Sequence, residues 1–191
     1  MFLYIGGVPG VGKTTVINNI ETKAIQEKIE IKKMVGAPIL CKITGLRTID
    51  ELRRLPEEER EKLRPKMYDI IYDTLKQKSH ILWIFDGHFC YFDWNGEKFG
   101  MRPIQSWDKE LMIGIIVLTA RPKTVLLRRT ADRRLDRKLG IGFIKKEIEK
   151  EREIAISQSV TLNKPLIFLA NENGDTEKNV QKIIQLIREW I

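Results

Sequence analysis

"FLYIGGVPGVGKTTVINN", Phe2 to Asn19, decides how the rest of the chain is read. Phe2 to Ile5 are apolar without a break, the pattern of a strand buried on both faces. Glycines at 6, 7, 10 and 12, with Pro9 among them, end that run. From Lys13 onward, Val16, Ile17, Ile20, Ala24 and Ile25 recur at the spacing of one helix face. Gly7, Gly12, Lys13 and Thr14 satisfy G-x-x-x-x-G-K-[ST] between a strand and a helix, the context in which that spacing carries meaning. Residues without a β-carbon let successive backbone amides turn toward a phosphate chain. The helix behind them adds free N–H groups and the positive end of its dipole. Gly7, Val8, Pro9, Gly10, Val11, Gly12, Lys13, Thr14 and Thr15 are therefore expected around the phosphates of a nucleoside triphosphate. Lys13 would reach the β and γ groups, and the Thr14 hydroxyl would meet Mg²⁺.

The same alternation continues downstream. "EIKKMV", "HILWIFDG", "MIGIIVLTA" and "PLIFLAN" read as strands. Between them lie helical stretches. "TIDELRRL" opens on a capping box, Thr48 to Glu51, and "EEEREKLR" runs to Pro65, where a further helix starts or a kink falls. Pro122 suits the first turn of "KTVLLRRTADRRLDRK", and Gly140 and Gly142 break that helix before "FIKKEIEKEREIAISQSV". "TEKNVQKIIQLIREWI" closes the chain, and "HFCYFDWNGEKFGMRP" reads as a long loop turning at Asn95-Gly96. Strands alternating with helices imply a parallel sheet covered on both faces, a three-layer α/β/α fold. Asp86, closing an apolar strand, would stand behind the magnesium through water.

Bulk properties narrow the class. A chain of 191 residues, 42% hydrophobic and 31% charged, suits one domain over residues 1–191 with a proper core. Nothing approaches the ~18 apolar residues of a membrane span, and the N-terminus has no secretory signal pattern. Cys41 and Cys90 sit in no metal-ligand cluster, so free thiols in a reducing cytoplasm are expected and a zinc site is not. A net charge of +8 favours anionic partners: nucleotides first, RNA as an alternative. Much of that charge lies in "RRTADRRLDRK", where Arg129, Arg133 and Arg137 share a helix face beside Arg128 and Arg134. Such a guanidinium cage can stabilise a transferring phosphoryl group. "KKEIEKERE", Lys145 to Glu153, is expected to be a solvated helix face.

In order and spacing, "GVPGVGKTT", "DELRRL…EKL", "FDGH", "LTARPKTVLLRRTADRRLDR" and "NENGD" resemble the archaeal-type adenylate kinases over nearly the whole chain. That resemblance implies a P-loop kinase fold with a five-stranded parallel sheet of order 2-3-1-4-5. Acceptor-binding helices would lie at about 37–78 and a short lid at about 128–142. It implies transfer of the γ-phosphate of Mg-ATP to a nucleoside monophosphate, AMP, giving two ADP. By the same resemblance, Arg128 lies near adenine and triphosphate, and Asn171 to Gly174 border the adenine pocket. Arg133, Arg134 and Arg137 charge the lid, Arg133 and Arg137 acting with Lys13 on the transferring group. Arg53 and Arg64 meet the acceptor phosphate, and His88 faces the acceptor. A homo-oligomer is compatible with the family.

Three departures fall on the acceptor side. Ala37 in "VGAP" stands where the family tends to be acidic, "DGH" replaces "DTH", and "FCYFDW" replaces a basic residue. Arg102 is the expected compensation for the last. These changes leave two other readings open: a P-loop kinase acting on another small acceptor, and a nucleotide-binding RNA-associated or assembly factor.

Overall fold

The strand of the opening motif, β1 (Phe2–Gly6), is buried at every position and lies between two parallel neighbours, β3 (Leu82–Asp86) and β6 (Met112–Thr119). β2 (Ile31–Val35) and β7 (Leu166–Ala170) complete a five-stranded sheet of order β2-β3-β1-β6-β7, the arrangement expected from the resemblance. The computed structural model describes residues 1–92, 99–132 and 138–191, with the side chains of Arg53, Glu57 and Phe99 left aside.

Side chains along each strand alternate between two cores. Phe2, Tyr4, Trp83, Phe85, Ile115 and Val117 point to one face; Leu3, Ile5, Leu82, Ile84, Ile116 and Leu118 point to the other. The second face is covered by α1 (Lys13–Gln26) and α8 (Thr176–Trp190), each with an apolar stripe at helical spacing. The first is covered by α2 (Gly36–Thr44), α3 (Ile49–Arg54), α4 (Glu57–Gln77) and the C-terminal half of α7 (Ile141–Leu162). The three-layer reading therefore holds.

Several local expectations are met or revised. The capping box forms: Thr48 Oγ1 accepts from Glu51 N at 3.1 Å and Glu51 Oε2 accepts from Thr48 N at 3.2 Å. Pro65 starts no further helix, because α4 runs through it. α2, unmarked by the residue pattern although it falls within the span of about 37–78 that the resemblance gives to acceptor-binding helices, follows β2 directly, and Ala37 packs in its first turn against the core. Part of the supposed loop after Asp86 is a hairpin of β4 (Cys90–Phe92) and β5 (Phe99–Met101); its Asn95-Gly96 turn lies outside the described residues. A four-residue helix, α5 (Asp108–Leu111), leads into β6. α6 (Pro122–Ala131) ends at Asp132, sooner than expected. Gly140 caps α7, whereas Gly142 sits inside its first turn and breaks nothing.

Because the sheet is parallel, the ends of β1, β3, β6 and β7 open on one edge. That edge is where an open α/β sheet binds its ligand.

Candidate active site

Between β1 and α1 the chain bends at Gly7 (φ 138°), Gly10 (φ 85°) and Gly12 (φ 99°), all in backbone regions that side-chain-bearing residues rarely adopt. Space adds to the demand. A β-carbon at Gly7 would stand 2.6 Å from the Leu118 carbonyl oxygen, and one at Gly12 would stand 2.5 Å from Asn171 Nδ2. The loop is thus pressed against the ends of β6 and β7 and needs glycine for both reasons.

Lys13, the first residue of α1, is buried, and its ammonium turns back to donate to the Gly7 carbonyl. His88 completes the cluster. Its Nδ1 lies 2.7 Å from the same carbonyl and 3.3 Å from Lys13 Nζ. An ammonium only donates and a carbonyl only accepts, so a proton on Nδ1 serves the shorter contact. His88 thus stands against the phosphate loop. Thr14 and Thr15 are exposed on the first turn of α1, and Asp86 is half-buried beside Ile5 on the neighbouring strand. No three-residue cluster of His, Cys, Asp and Glu able to hold a metal occurs among the described residues. Mg²⁺ is a hard cation that keeps waters and phosphate oxygens and needs few protein ligands. The hydroxyl of Thr14 and the carboxylate of Asp86 are oxygen donors of the required kind.

The far wall of the loop is built from α6 and the segment after β7. Arg128 Nη1 and Asn171 Nδ2 both donate to the Val11 carbonyl, at 2.9 and 2.8 Å, and Arg128 Nη2 reaches Asn173 Oδ1 at 3.3 Å. Asn179 Nδ2 holds Asn171 Oδ1 at 3.1 Å. Two residues expected at the nucleotide, Arg128 and Asn171, are therefore brought together on the loop. Arg133, Arg134 and Arg137 lie outside the described residues.

Arg129, expected in the guanidinium cage on one helix face with Arg133 and Arg137, is turned into the protein. It is buried, donates through Nε to the Pro9 carbonyl at 2.9 Å and through Nη1 to the Lys138 carbonyl at 3.0 Å. Its Nη2 stands 2.7 Å from Glu147 Oε2, an ion pair whose angle is poor for a hydrogen bond. The solvated face expected at Lys145–Glu153 is corrected by the same contact. Glu147 and Glu151 point into the protein, and burial raises the pKa of both; Arg129 opposes the shift at Glu147. Glu151 is 2% exposed, and its carboxylate accepts from three backbone amides, those of Gly7 at 2.7 Å and of Phe89 and Cys90 at 2.9 Å each. The three bonds and the Lys13 ammonium favour its charged form. Sequence reasoning missed this residue. Its only trace there was the four-residue spacing of Glu147 and Glu151 on a helix.

On the acceptor side, α3 carries Arg53, whose side chain is not among those described. Arg64 is half-buried on α4, donates to the Tyr91 hydroxyl, lies 4.0 Å over the Tyr91 ring and sits 3.5 Å from Glu61. With Pro65, Tyr68, Met101 and Pro103 these residues line an open cavity of about 370 Å³ between α4 and the hairpin. Arg102, expected to compensate for a missing acceptor contact, points elsewhere. It is 5% exposed, its two terminal nitrogens meet the two Asp108 carboxylate oxygens at 2.8 and 2.7 Å, and it lies 4.8 Å from the Tyr4 ring centroid. That geometry makes it part of the core and corrects the expectation. The "DGH" departure also has a local cause. A β-carbon at Gly87 would fall 2.1 Å from Tyr4 Oη, and that hydroxyl donates to the His88 carbonyl at 3.0 Å. Tyr4 fills the space a threonine would take. No described helix is long and apolar enough to cross a membrane.

Comparison with known proteins places this geometry. Over 96% of both chains, the protein is 25% identical to an adenylate kinase of Methanoculleus marisnigri and 27% identical to one of Methanocaldococcus jannaschii. It is 25% identical to an adenylate kinase of Sulfurisphaera tokodaii over 94% of this chain and 95% of that one. The crystal structure of a shikimate kinase from Bacteroides thetaiotaomicron superposes with a TM-score of 0.54, at 17% identity over 98% of each chain, and so shares the fold. A family model described as an AAA domain matches residues 6–140, from the start of the glycine bend to the N-cap of α7. The chain belongs to that AAA domain family and is a P-loop kinase similar to archaeal adenylate kinases along nearly all its length.

Proposed function

We propose that this kinase transfers the γ-phosphate of Mg-ATP to a nucleoside monophosphate, AMP, with two ADP as product. The observation that carries the reading is the loop: three positive-φ glycines, a buried Lys13 and the start of α1 converge where a polyphosphate would lie. The adenylate kinases matched over 96% of the chain support AMP as acceptor. Lys13 would leave the Gly7 carbonyl for the β and γ phosphates, a stronger partner for an ammonium than a neutral oxygen. Thr14 and Asp86 would hold Mg²⁺, which when bound neutralises charge on the phosphate chain. Arg128 and Asn171 would border the nucleotide base, and Arg133 and Arg137 would bring lid charge to the transferring group. The cavity beside Arg64 is where the acceptor would enter, with Arg53 and Arg64 toward its phosphate. An ionised phosphate is already a nucleophile, so positioning and charge neutralisation suffice without a general base.

The test is direct. Purified protein with Mg-ATP is offered each common nucleoside monophosphate in turn, and diphosphate formation is followed. AMP should give ADP fastest. If no monophosphate yields diphosphate, the reading is wrong. Faster turnover of a non-nucleotide acceptor would move the chain to the other kinase reading left open by its acceptor-side departures, a P-loop kinase acting on another small acceptor.

A further inference from the structure

Glu151 touches no substrate group in the scheme above, yet it joins the two halves of the site. Its Oε1 accepts the Gly7 amide at the base of the phosphate loop. Its Oε2 accepts the amides of Phe89 and Cys90, which follow His88 directly and begin the hairpin that walls the acceptor cavity. A carboxylate has about four acceptor positions, and three are filled by backbone amides from two loops. The closure is tight: a β-carbon at Gly6 would stand 3.2 Å from Glu151 Oε1 and 2.6 Å from the Phe89 ring. One turn earlier on α7, Glu147 pairs with Arg129, which holds the Pro9 carbonyl. α7 thus grips the phosphate loop at two points, Gly7 and Pro9, and the acceptor-side loop at a third.

We infer that Glu151 is a positioning residue for phosphoryl transfer: by tying Gly7 to Phe89 and Cys90, it sets the spacing between the triphosphate loop and the acceptor-side segment. The inference rests on the triphosphate reading of the loop. It extends that reading to how the Lys13, His88 and Gly7 cluster keeps its geometry while substrates come and go. A transferring group tolerates little error in placement, so a fixed separation between donor and acceptor loops has direct consequence for rate.

Glu151→Gln is the test, made in the full chain and measured well below the melting point of both proteins. The carboxamide matches the carboxylate in shape but presents one oxygen and an NH₂ group. Either orientation sets donors against at least one of the backbone amides. Mg-ATP affinity by calorimetry should fall about tenfold and turnover with AMP by about ten- to a hundredfold, as expected when charge-assisted bonds that orient a site are lost. In amide exchange followed by NMR, Gly7, Phe89 and Cys90 should lose at least about tenfold of protection while the amides of α8 keep theirs. Glu151→Asp, charged but one methylene shorter, should fall between the two and serves as the variant if the glutamine protein does not fold. Wild-type affinity, turnover and protection of those three amides in the folded variant would overturn the inference. So would a uniform loss of protection that includes α8, with normal affinity and turnover, since that is what a purely stabilising role produces. Failure of the wild-type protein to phosphorylate AMP counts against the proposed acceptor alone. Glu151 is then judged on ATP affinity and exchange.

Discussion

Replacing Arg102 by methionine separates two roles that the sequence could not distinguish, acceptor ligand and core ion pair. The guanidinium faces an Asp108 carboxylate that is wholly buried, through two parallel contacts of 2.7 and 2.8 Å. Gln158 brackets the pair, Nε2 donating to the Arg102 carbonyl at 2.6 Å. Methionine fills similar space over the Tyr4 ring but leaves the carboxylate with the Gln105 amide, 2.8 Å away. Removing one partner of a buried pair costs about 3–5 kcal/mol, since the remaining charge is uncompensated. In a chain of this length each kcal/mol moves the melting temperature by roughly 2–4 °C, so Arg102→Met should melt roughly 6–20 °C lower. Adding Asp108→Asn removes the orphaned charge and should bring the double variant back toward wild type. Calorimetry gives the midpoints, and steady-state kinetics with ATP and AMP, taken where every variant is folded, gives the rest. The Michaelis constant for the acceptor should stay within about twofold of wild type, because a core pair gives the bound state no contact to lose. A variant that melts within about 2 °C of wild type while its acceptor KM rises tenfold or more would refute this account.

Other perturbations test the remaining parts. Lys13→Ala should lower turnover by orders of magnitude, about 10³-fold or more, with an unchanged circular dichroism spectrum. Gly12→Ala puts a β-carbon on Asn171 Nδ2 at a φ of 99°; strain and the displaced bond to Val11 together cost about 2–4 kcal/mol, readable by urea denaturation, and ATP binding should weaken with it. Burial raises the Glu147 pKa above its ordinary 4.5, so the folded state holds that proton more tightly than the unfolded one. Stability from this group is therefore present below 4.5 and is lost as pH rises through the folded value. Urea denaturation across that window should show wild type losing stability relative to Glu147→Gln as pH increases. Burial, with Glu151 beside it, pushes the Cys90 thiol far above its usual range. A thiol reagent at mildly alkaline pH should label Cys90 only after denaturant is added.

What could be read in the chain was whatever neighbours in sequence produce together. The apolar run, the glycines and Lys13 lie within thirteen residues, and the bend they make is the bend the structure has. Thr48 and Glu51 likewise cap their helix from within four residues. The residue pattern did not mark α2, which only the resemblance covered, because "GAPILCKIT" is apolar nearly all round and opens on glycine and proline, so neither its period nor its first residues signal a helix. β4 and β5 have three residues each, too few for alternation to show. The acceptor side is assembled differently, and this is why it resisted reading. The partners of Glu151 are 144, 62 and 61 positions away, and those of Arg102 depend on a short helix and on α7. In sequence, Glu147 and Glu151 sit in "KKEIEKERE" with Glu149 and Glu153, which do face water, and no local rule separates the two buried carboxylates from their solvated neighbours. Only the three-dimensional path does so, because α7 begins with its side chains on one core and ends with them on the other, passing over the base of the phosphate loop between. A charged helix that must cross there can bury a carboxylate where a cation or unpaired backbone amides await it: Arg129 meets Glu147, and the glycine bend together with the turn out of β3 supplies three amides to Glu151. The departures that made the acceptor side look unlike its relatives, Gly87 and the apolar "FCYFDW", are of the same kind: one leaves room for Tyr4, and the other begins the hairpin whose first amides Glu151 holds.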